Sequence, residues 1–241
     1  MGNSWFQFKE FRIEQGRTSM KVCTDSCIFG AYVAMRESED LSSVTNFLDV
    51  GSGTGLLSLM VKQKLPYAKI LAVEKDDGAF MDCRQNFEAS PWSEQLQVFH
   101  SSFEEFAGGN PVGFDRIICN PPFFLNHLRS PDQGRNQSMH NTALEWNNWI
   151  QLLSDVCHPE GRIWLLLDPG TWDRTVPILG LCGLFVREEL TLVQSRGRIW
   201  RNIVCLSKEK TDHPVTRYLD VYENPGTLSS DIRHWLHDYY L

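Results

Sequence analysis

The stretch Asp49-Val50-Gly51-Ser52-Gly53-Thr54-Gly55 lies between a short apolar run, Phe47 to Val50, and an amphipathic stretch, Leu56 to Lys64. Three glycines at alternate positions let the chain turn sharply at the end of a buried strand and enter a helix at once. Such a turn opens a strand–helix–strand unit, and that unit commits the chain to a parallel sheet.

The rest of the sequence agrees. Ile70 to Glu74, Leu96 to His100, Phe114 to Cys119 and Gly161 to Leu167 read as further strands. Helical patterns fall at Gly78 to Ala89, Trp146 to Cys157 and Thr171 to Leu181, the last containing Pro177. Phe185 to Val193 and Asn202 to Ser207 read as an antiparallel pair joined by an Arg-rich loop. Before the sheet come two short strands, Trp5 to Phe8 and Phe11 to Glu14. A helix from Ser26 to Met35 follows, capped by Thr24 or Asp25, and then a polar linker over 36–40. Ser229 to Leu241 reads as a short amphipathic helix. The expected fold is therefore α/β: a Rossmann-like, mostly parallel sheet of seven strands with a closing antiparallel hairpin. One domain is expected over 1–241, with an N-terminal extension (1–40), a core (41–207) and a C-terminal extension (208–241).

Composition narrows the function. The net charge of −7 disfavours a protein that binds nucleic acid tightly and without selection, but leaves room for a local basic patch. The apolar runs fall well short of the roughly 20 residues of a membrane span, and the N-terminus lacks the pattern of a signal peptide. Seven scattered cysteines without a CxxC pair read as reduced, buried thiols, and Cys23 with Cys27 lacks two further metal ligands. A cytoplasmic protein with no metal, no membrane association and no obligate protein partner is expected.

Open parallel sheets bind ligands beyond the carboxyl ends of their strands. The glycine spacing is GxGxG, not the GxGxxG of a dinucleotide site, and no basic side chain sits in the turn. Asp49 would repel a pyrophosphate but suits an ammonium or a sulfonium. Glu74, ending the next strand, can accept the two hydroxyls of a ribose. Asp49, Gly51, Gly53, Gly55 and Glu74 together point to S-adenosylmethionine; NAD and a purely structural turn are the alternatives.

A second strand end carries Asn120-Pro121-Pro122-Phe123. The prolines lock the backbone and contribute no N–H. The Asn120 oxygen and the Pro121 carbonyl form a pair of acceptors for a planar amine, and Phe123 offers a stacking face. A rigid turn without chemistry is the bland alternative. The segment Asn120 to Leu144 lacks secondary-structure signals and reads as a substrate-binding loop.

With these motifs in hand, residues 47–123 resemble class I S-adenosylmethionine-dependent methyltransferases of the amino-methylating branch. Almost the whole chain resembles the bacterial tRNA1(Val) adenine-37 N6-methyltransferase family, thinning after about residue 170. The resemblance rests on Phe6-Gln7-Phe8-Lys9-Glu10-Phe11, Met20-Lys21-Val22-x-Thr24-Asp25, Asp49 to Gly55, Asn86, Ser90-Pro91-Trp92-Ser93-Glu94 and Asn120 to Phe123, in that order. It implies a tRNA substrate, tRNA1(Val), and S-adenosylhomocysteine as product. It also implies that Lys21, Thr24 and Asp25 help to close the cofactor pocket. Ser102 stands where the family commonly has an acid that reads the cofactor adenine, and Phe123 where Tyr is also common.

The clamp chemistry alone would also admit rRNA guanine N2, DNA adenine N6 or a glutamine side-chain amide. A cofactor-binding protein without catalysis is a further alternative. For RNA contact the candidates are Pro122, Phe124, Arg129 and Arg135 in the long loop, and Arg196, Arg198 and Arg201 in the late hairpin.

Overall fold

The computed structural model describes residues 3–39, 46–109, 113–121, 135–194 and 197–241, and of 135–143 the backbone alone. The N-terminal segment forms a hairpin of β1 (Trp5–Gln7) and β2 (Arg12–Glu14), followed by helix α1 (Thr24–Glu39). The alternating region contains β3 (Asn46–Val50), α2 (Leu56–Lys64), β4 (Lys69–Glu74), α3 (Asp77–Ala89), β5 (Leu96–His100), α4 (Phe103–Gly109) and β6 (Phe114–Cys119). Then come α5 (Arg135–Val156), β7 (Cys157–Leu167), α6 (Pro169–Leu179), β8 (Phe185–Gln194) and β9 (Arg198–Ser207). The chain ends in β10 (Val215–Asp220), a small pair β11 (Tyr222–Asn224) and β12 (Thr227–Leu228), and helix α7 (Ser230–Leu236).

Among the described residues the main sheet has eight strands in the order β10-β8-β9-β7-β6-β3-β4-β5. β7, β6, β3, β4 and β5 run parallel, while β9 is antiparallel to both β7 and β8. From β3 the chain winds outward through β4 and β5; from β6 it winds the other way through β7. The reversal point lies between β3 and β6, which is where such sheets open a crevice.

Strand alternation divides the core into two layers. Phe47, Ile70, Ala72 and Ile118 pack with α1, α2 and α3 on one face. Leu48, Val50, Val73, Ile117 and Cys119 pack with Trp149, Ile150 and Leu153 of α5 on the other. Caps set the helix starts: Asp76 accepts the Ala79 amide, and Asp168 accepts the Thr171 amide with Pro169 at the first helical position.

Several elements differ from the sequence reading. α1 extends to Glu39, where a polar linker was expected, because its last turns have partners in the sheet. Arg36 pairs with Glu188, and Glu37 is fully buried against the Arg116 guanidinium and the Trp164 indole N–H. Removing one member of a buried pair of this kind costs about 3–5 kcal/mol. Thr24 lies inside the helix rather than before it. α5 begins at Arg135, so the expected loop is shortened by its own helix, and 122–134 lie outside the described residues. α4 and β10 were not expected. β10 adds an eighth strand parallel to β8 and is almost wholly exposed, so it lacks the apolar alternation that betrays a strand.

The two ends of the chain hold each other against the core. Asn86 of α3 accepts the Glu14 amide at 2.7 Å and donates to the carbonyls of Glu14 and Thr54, both at 2.9 Å. Asp82 accepts the amides of Arg17 and Thr18 and the Arg17 guanidinium. The Lys9 amide donates to the Tyr239 carbonyl, and the Tyr239 hydroxyl donates to the Met60 carbonyl. Among the described residues no helix is long and apolar enough to cross a membrane.

Candidate active site

The register pairs Val50 of β3 with Cys119 of β6 and with Val73 of β4. The next residue on each strand is therefore Gly51, Asn120 and Glu74. A cavity of about 350 Å³ opens there, with Gly51, Gly53, Glu74 and Asn120 in its lining. That volume falls in the range of small-ligand sites.

The three glycines divide their work. All have positive φ (68°, 56° and 79°). A Cβ on Gly51 or Gly53 would meet nothing within 4 Å, so these two present bare backbone to the cavity. A Cβ on Gly55 would lie 2.6 Å from the Phe87 ring and 2.9 Å from Cys83 Sγ; Gly55 serves the packing of α2 on α3. The turn is anchored by Gly51 and Ser52 amides on the Val73 carbonyl. Glu74 adds to this, its Oε2 accepting the Gly53 amide at 2.7 Å and its Oε1 the Asp76 amide at 2.8 Å. A carboxylate retains further lone pairs for a ligand hydroxyl.

Asp49 lies fully buried beneath the turn. Its Oδ2 accepts the Ser58 hydroxyl at 2.6 Å and the Ser58 amide at 3.2 Å, while Oδ1 has no partner. Burial pushes this carboxyl up to about 7, with the Ser58 bonds opposing and Glu74 adding a small upward push. A buried carboxylate oxygen without a donor is costly and calls for one.

Asn120 follows β6, half-buried, and its Nδ2 donates to Ser26 Oγ of α1 at 3.0 Å. Among the described residues no group donates to Asn120 Oδ1. Pro121 is buried next to it. Pro122, Phe123, Phe124, Arg129 and Arg196 lie outside the described residues, and of Arg135 the backbone alone is described.

The remaining candidates occupy other positions. The Lys21 ammonium donates to the Asn3 carbonyl. Asp25 forms an ion pair with Arg201 at 3.0 Å. The Ser102 hydroxyl accepts the Glu105 amide at 3.2 Å, while Glu105 accepts the Ser102 amide at 3.3 Å, a capping box for α4. Lys21, Thr24, Asp25 and Ser102 do not line the cavity. Its walls include instead Thr18, Ser19 and Met20 from the N-terminal segment, Ser101, Phe103 and Glu104 after β5, and Trp149 of α5. Sequence reasoning missed these. The nearest signal was the Met20-Lys21-Val22 segment, read three residues too far along, since Asp82 fixes the chain at Thr18.

Arg198 and Arg201 sit on β9 rather than in a loop. β7 pairing with β9 ends at Leu167–Asn202, so residues before Asn202 extend past the carboxyl end of β7, on the cavity's side of the sheet. Arg198 is exposed there, and Arg201 stacks on Trp200 at 5.4 Å.

Residues 33–140 match the methyltransferase small domain. The tRNA1(Val) (adenine(37)-N6)-methyltransferase of Dyadobacter fermentans is 34% identical over 99% of this chain and 98% of that protein. The protein of the same name from Shewanella woodyi is 37% identical over 98% of each. This chain belongs to the tRNA1(Val) (adenine(37)-N6)-methyltransferase family.

More distant solved structures share its fold. A predicted O-methyltransferase of Agrobacterium tumefaciens superposes with a TM-score of 0.60 at 15% identity, covering 88% of this chain and 95% of its own. The ribosomal protein L11 methylase of Lactobacillus delbrueckii subsp. bulgaricus gives 0.55 at 15% identity, covering 82% and 84%. Membership of the methyltransferase family implies S-adenosylmethionine, and the site fits it. The open backbone at Gly51 and Gly53 leaves room for a ligand against the turn and Glu74 lines the same cavity, while Asp49, fully buried beneath the turn, does not itself line it.

Proposed function

We propose that this chain transfers a methyl group from S-adenosylmethionine to the N6 amine of adenine 37 in tRNA1(Val). The observation that carries the reading is the adjacency of the glycine turn and Asn120 across the β3–β6 crevice, with the Asn120 oxygen unengaged among the described residues. The family relatives named for this reaction support the choice of RNA.

The cofactor supplies an electrophilic methyl on a sulfonium sulfur. Asp49 and the bare backbone of Gly51 and Gly53 would hold its amino-acid end, Glu74 its ribose, and Ser101 with Glu104 the adenine side. Phe103 and Trp149 exclude water from that side. An exocyclic adenine amine is a weak nucleophile because its lone pair is delocalised into the ring. Asn120 Oδ1 and the Pro121 carbonyl accept its two hydrogens and draw the nitrogen toward a pyramidal geometry. The acceptors are fixed in advance, so no reorganisation is spent at the moment of reaction. Phe123 stacks on the base, which offsets part of the few kcal/mol, roughly, of unstacking it from the RNA. Pro122 and Phe124 flank the base, and Arg129, Arg135, Arg196 and Arg198 contact phosphates.

The reading asks for no metal and no covalent enzyme intermediate. It places the protein in the cytoplasm with its tRNA, as one domain whose residues 1–40 and 208–241 are extensions of the core. The test is transfer of labelled methyl to a tRNA1(Val) transcript with and without a chelator, followed by nucleoside mapping. N6-methyladenosine at position 37 in both cases is expected. Label only in rRNA, DNA or a protein amide would replace the substrate, and loss of activity on chelation would bring in a metal.

A further inference from the structure

We propose that Ser26 is a positioning residue that fixes the orientation of the Asn120 carboxamide through the contact of its hydroxyl oxygen with Asn120 Nδ2. The inference rests on the reading of Asn120 Oδ1 as an acceptor for the target amine.

An asparagine carboxamide has a donor end and an acceptor end of nearly equal size. If the NH2 end faced the cavity, it would meet the hydrogens of the incoming amine, and the clamp would repel what it should hold. Something must therefore distinguish the two ends. Ser26 Oγ, 3.0 Å from Asn120 Nδ2, is the contact that does so. A hydroxyl alone is indifferent, because it donates or accepts as required. Its neighbours remove the choice.

Asp25 braces the turn that carries Cys23 and Ser26. Its Oδ2 takes the Arg201 Nε hydrogen at 3.0 Å, and its Oδ1 takes the Ser26 amide at 3.0 Å. Burial first, and Asp25 beside it, hold the Cys23 thiol above its ordinary range, so it keeps its proton. Cys23 Sγ lies 3.1 Å from Ser26 Oγ, and since a thiol is the weaker donor, the hydroxyl hydrogen is the one shared between them. The Ser26 hydroxyl then donates toward sulfur and turns its own lone pair to Asn120. The carboxamide thereby keeps its NH2 on Ser26 and turns its oxygen to the cavity. Ser26 and Asp25 are buried, and neither lines the cavity, so they act through Asn120. Arg201 comes from β9 and locks the first turn of α1 from across the sheet.

The experiment compares Ser26→Ala, Ser26→Thr and Asn120→Asp with wild type in methyl transfer to tRNA, alongside calorimetry with S-adenosylhomocysteine. Ser26→Ala should lower kcat by about tenfold or more, in the range typical for loss of transition-state alignment, with KM and cofactor affinity within about twofold. Ser26→Thr keeps the oxygen and should restore most of the rate. Asn120→Asp has two equivalent acceptors and no end to choose, so adding Ser26→Ala to it should change kcat little. Full activity of Ser26→Ala overturns the inference, as does a loss of cofactor affinity that accounts for its defect. An equal further loss in the Asn120→Asp background overturns it too. Asn120→Ala separates the two levels: if that variant keeps its turnover, the reading of Asn120 itself fails, whereas an inactive Asn120→Ala beside an active Ser26→Ala refutes the orienting contact alone.

Discussion

Glu74 Oε2 accepts the Gly53 amide at 2.7 Å, so one carboxylate at the end of β4 holds the turn that follows β3. The side chain expected to bind the ribose is thus also a strut of the surface facing the methionine end. Glu74→Ala should weaken S-adenosylhomocysteine binding by about 1.5–3 kcal/mol, the scale of charge-assisted hydrogen bonds. Calorimetry reads this directly. Unchanged affinity would take Glu74 out of the site.

Asn120 should separate chemistry from binding. Its oxygen acts on a nitrogen that changes geometry only as reaction proceeds, so its effect belongs in kcat. Asn120→Ala should lose roughly 10²–10³ in turnover, as for a removed oxyanion donor. Melting temperature and cofactor affinity should stay near wild type. Turnover near wild type would reduce Asn120 to a turn residue.

The proposed role of Asp49 at the amino-acid end predicts that cofactor binding depends on pH. Its carboxyl titrates at about 7 in the folded chain because burial disfavours the charge. The raised value means that its contribution to stability is fully present below the ordinary carboxylate range and is lost as pH rises through about 7. Ligand binding has the opposite sign, since an ammonium needs the ionised form. Affinity for S-adenosylhomocysteine should therefore fall about tenfold from pH 8 to pH 6. Asp49→Asn should flatten that slope. A slope of the same size in the variant would assign the titration to another group.

Alanine at the glycines should split fold from site. At Gly55 the left-handed backbone costs about 1–2 kcal/mol and overlap with Phe87 and Cys83 about 1–3 more. The melting temperature should drop by roughly 5 °C or more. At Gly51 the methyl meets open space, so stability should change less and S-adenosylhomocysteine binding more. Equal effects of both variants on melting and on binding would remove the distinction.

The sheet and the strand ends that meet at the cavity were legible because each is written in contiguous residues. A glycine turn behind a strand, an acid at the next strand end and Asn-Pro-Pro behind another are local signals, and parallel winding brings strand ends together. The cavity walls were not legible. Phe103 and Trp149 reach the site through contacts distant in sequence, and no local pattern announces them. Asp25 and Arg201 carry the same lesson, since the ion pair between them spans 176 positions. Asn86 was legible only as part of a resemblance; its bonds to Glu14 and Thr54 supply the reason. β10 escaped because an exposed edge strand need not alternate.

The join between Lys9 and Tyr239 has a consequence for the order of events during synthesis. The segment carrying Thr18, Ser19 and Met20 is made before the core, yet the partner that seats the hairpin before it is made after the core. The glycine turn and Asn120 would meet earlier, leaving a crevice with one side unset. A chain stalled just short of Tyr239 should bind S-adenosylhomocysteine poorly and gain affinity on release. Tight binding by the stalled chain would show that the hairpin seats itself without the tail.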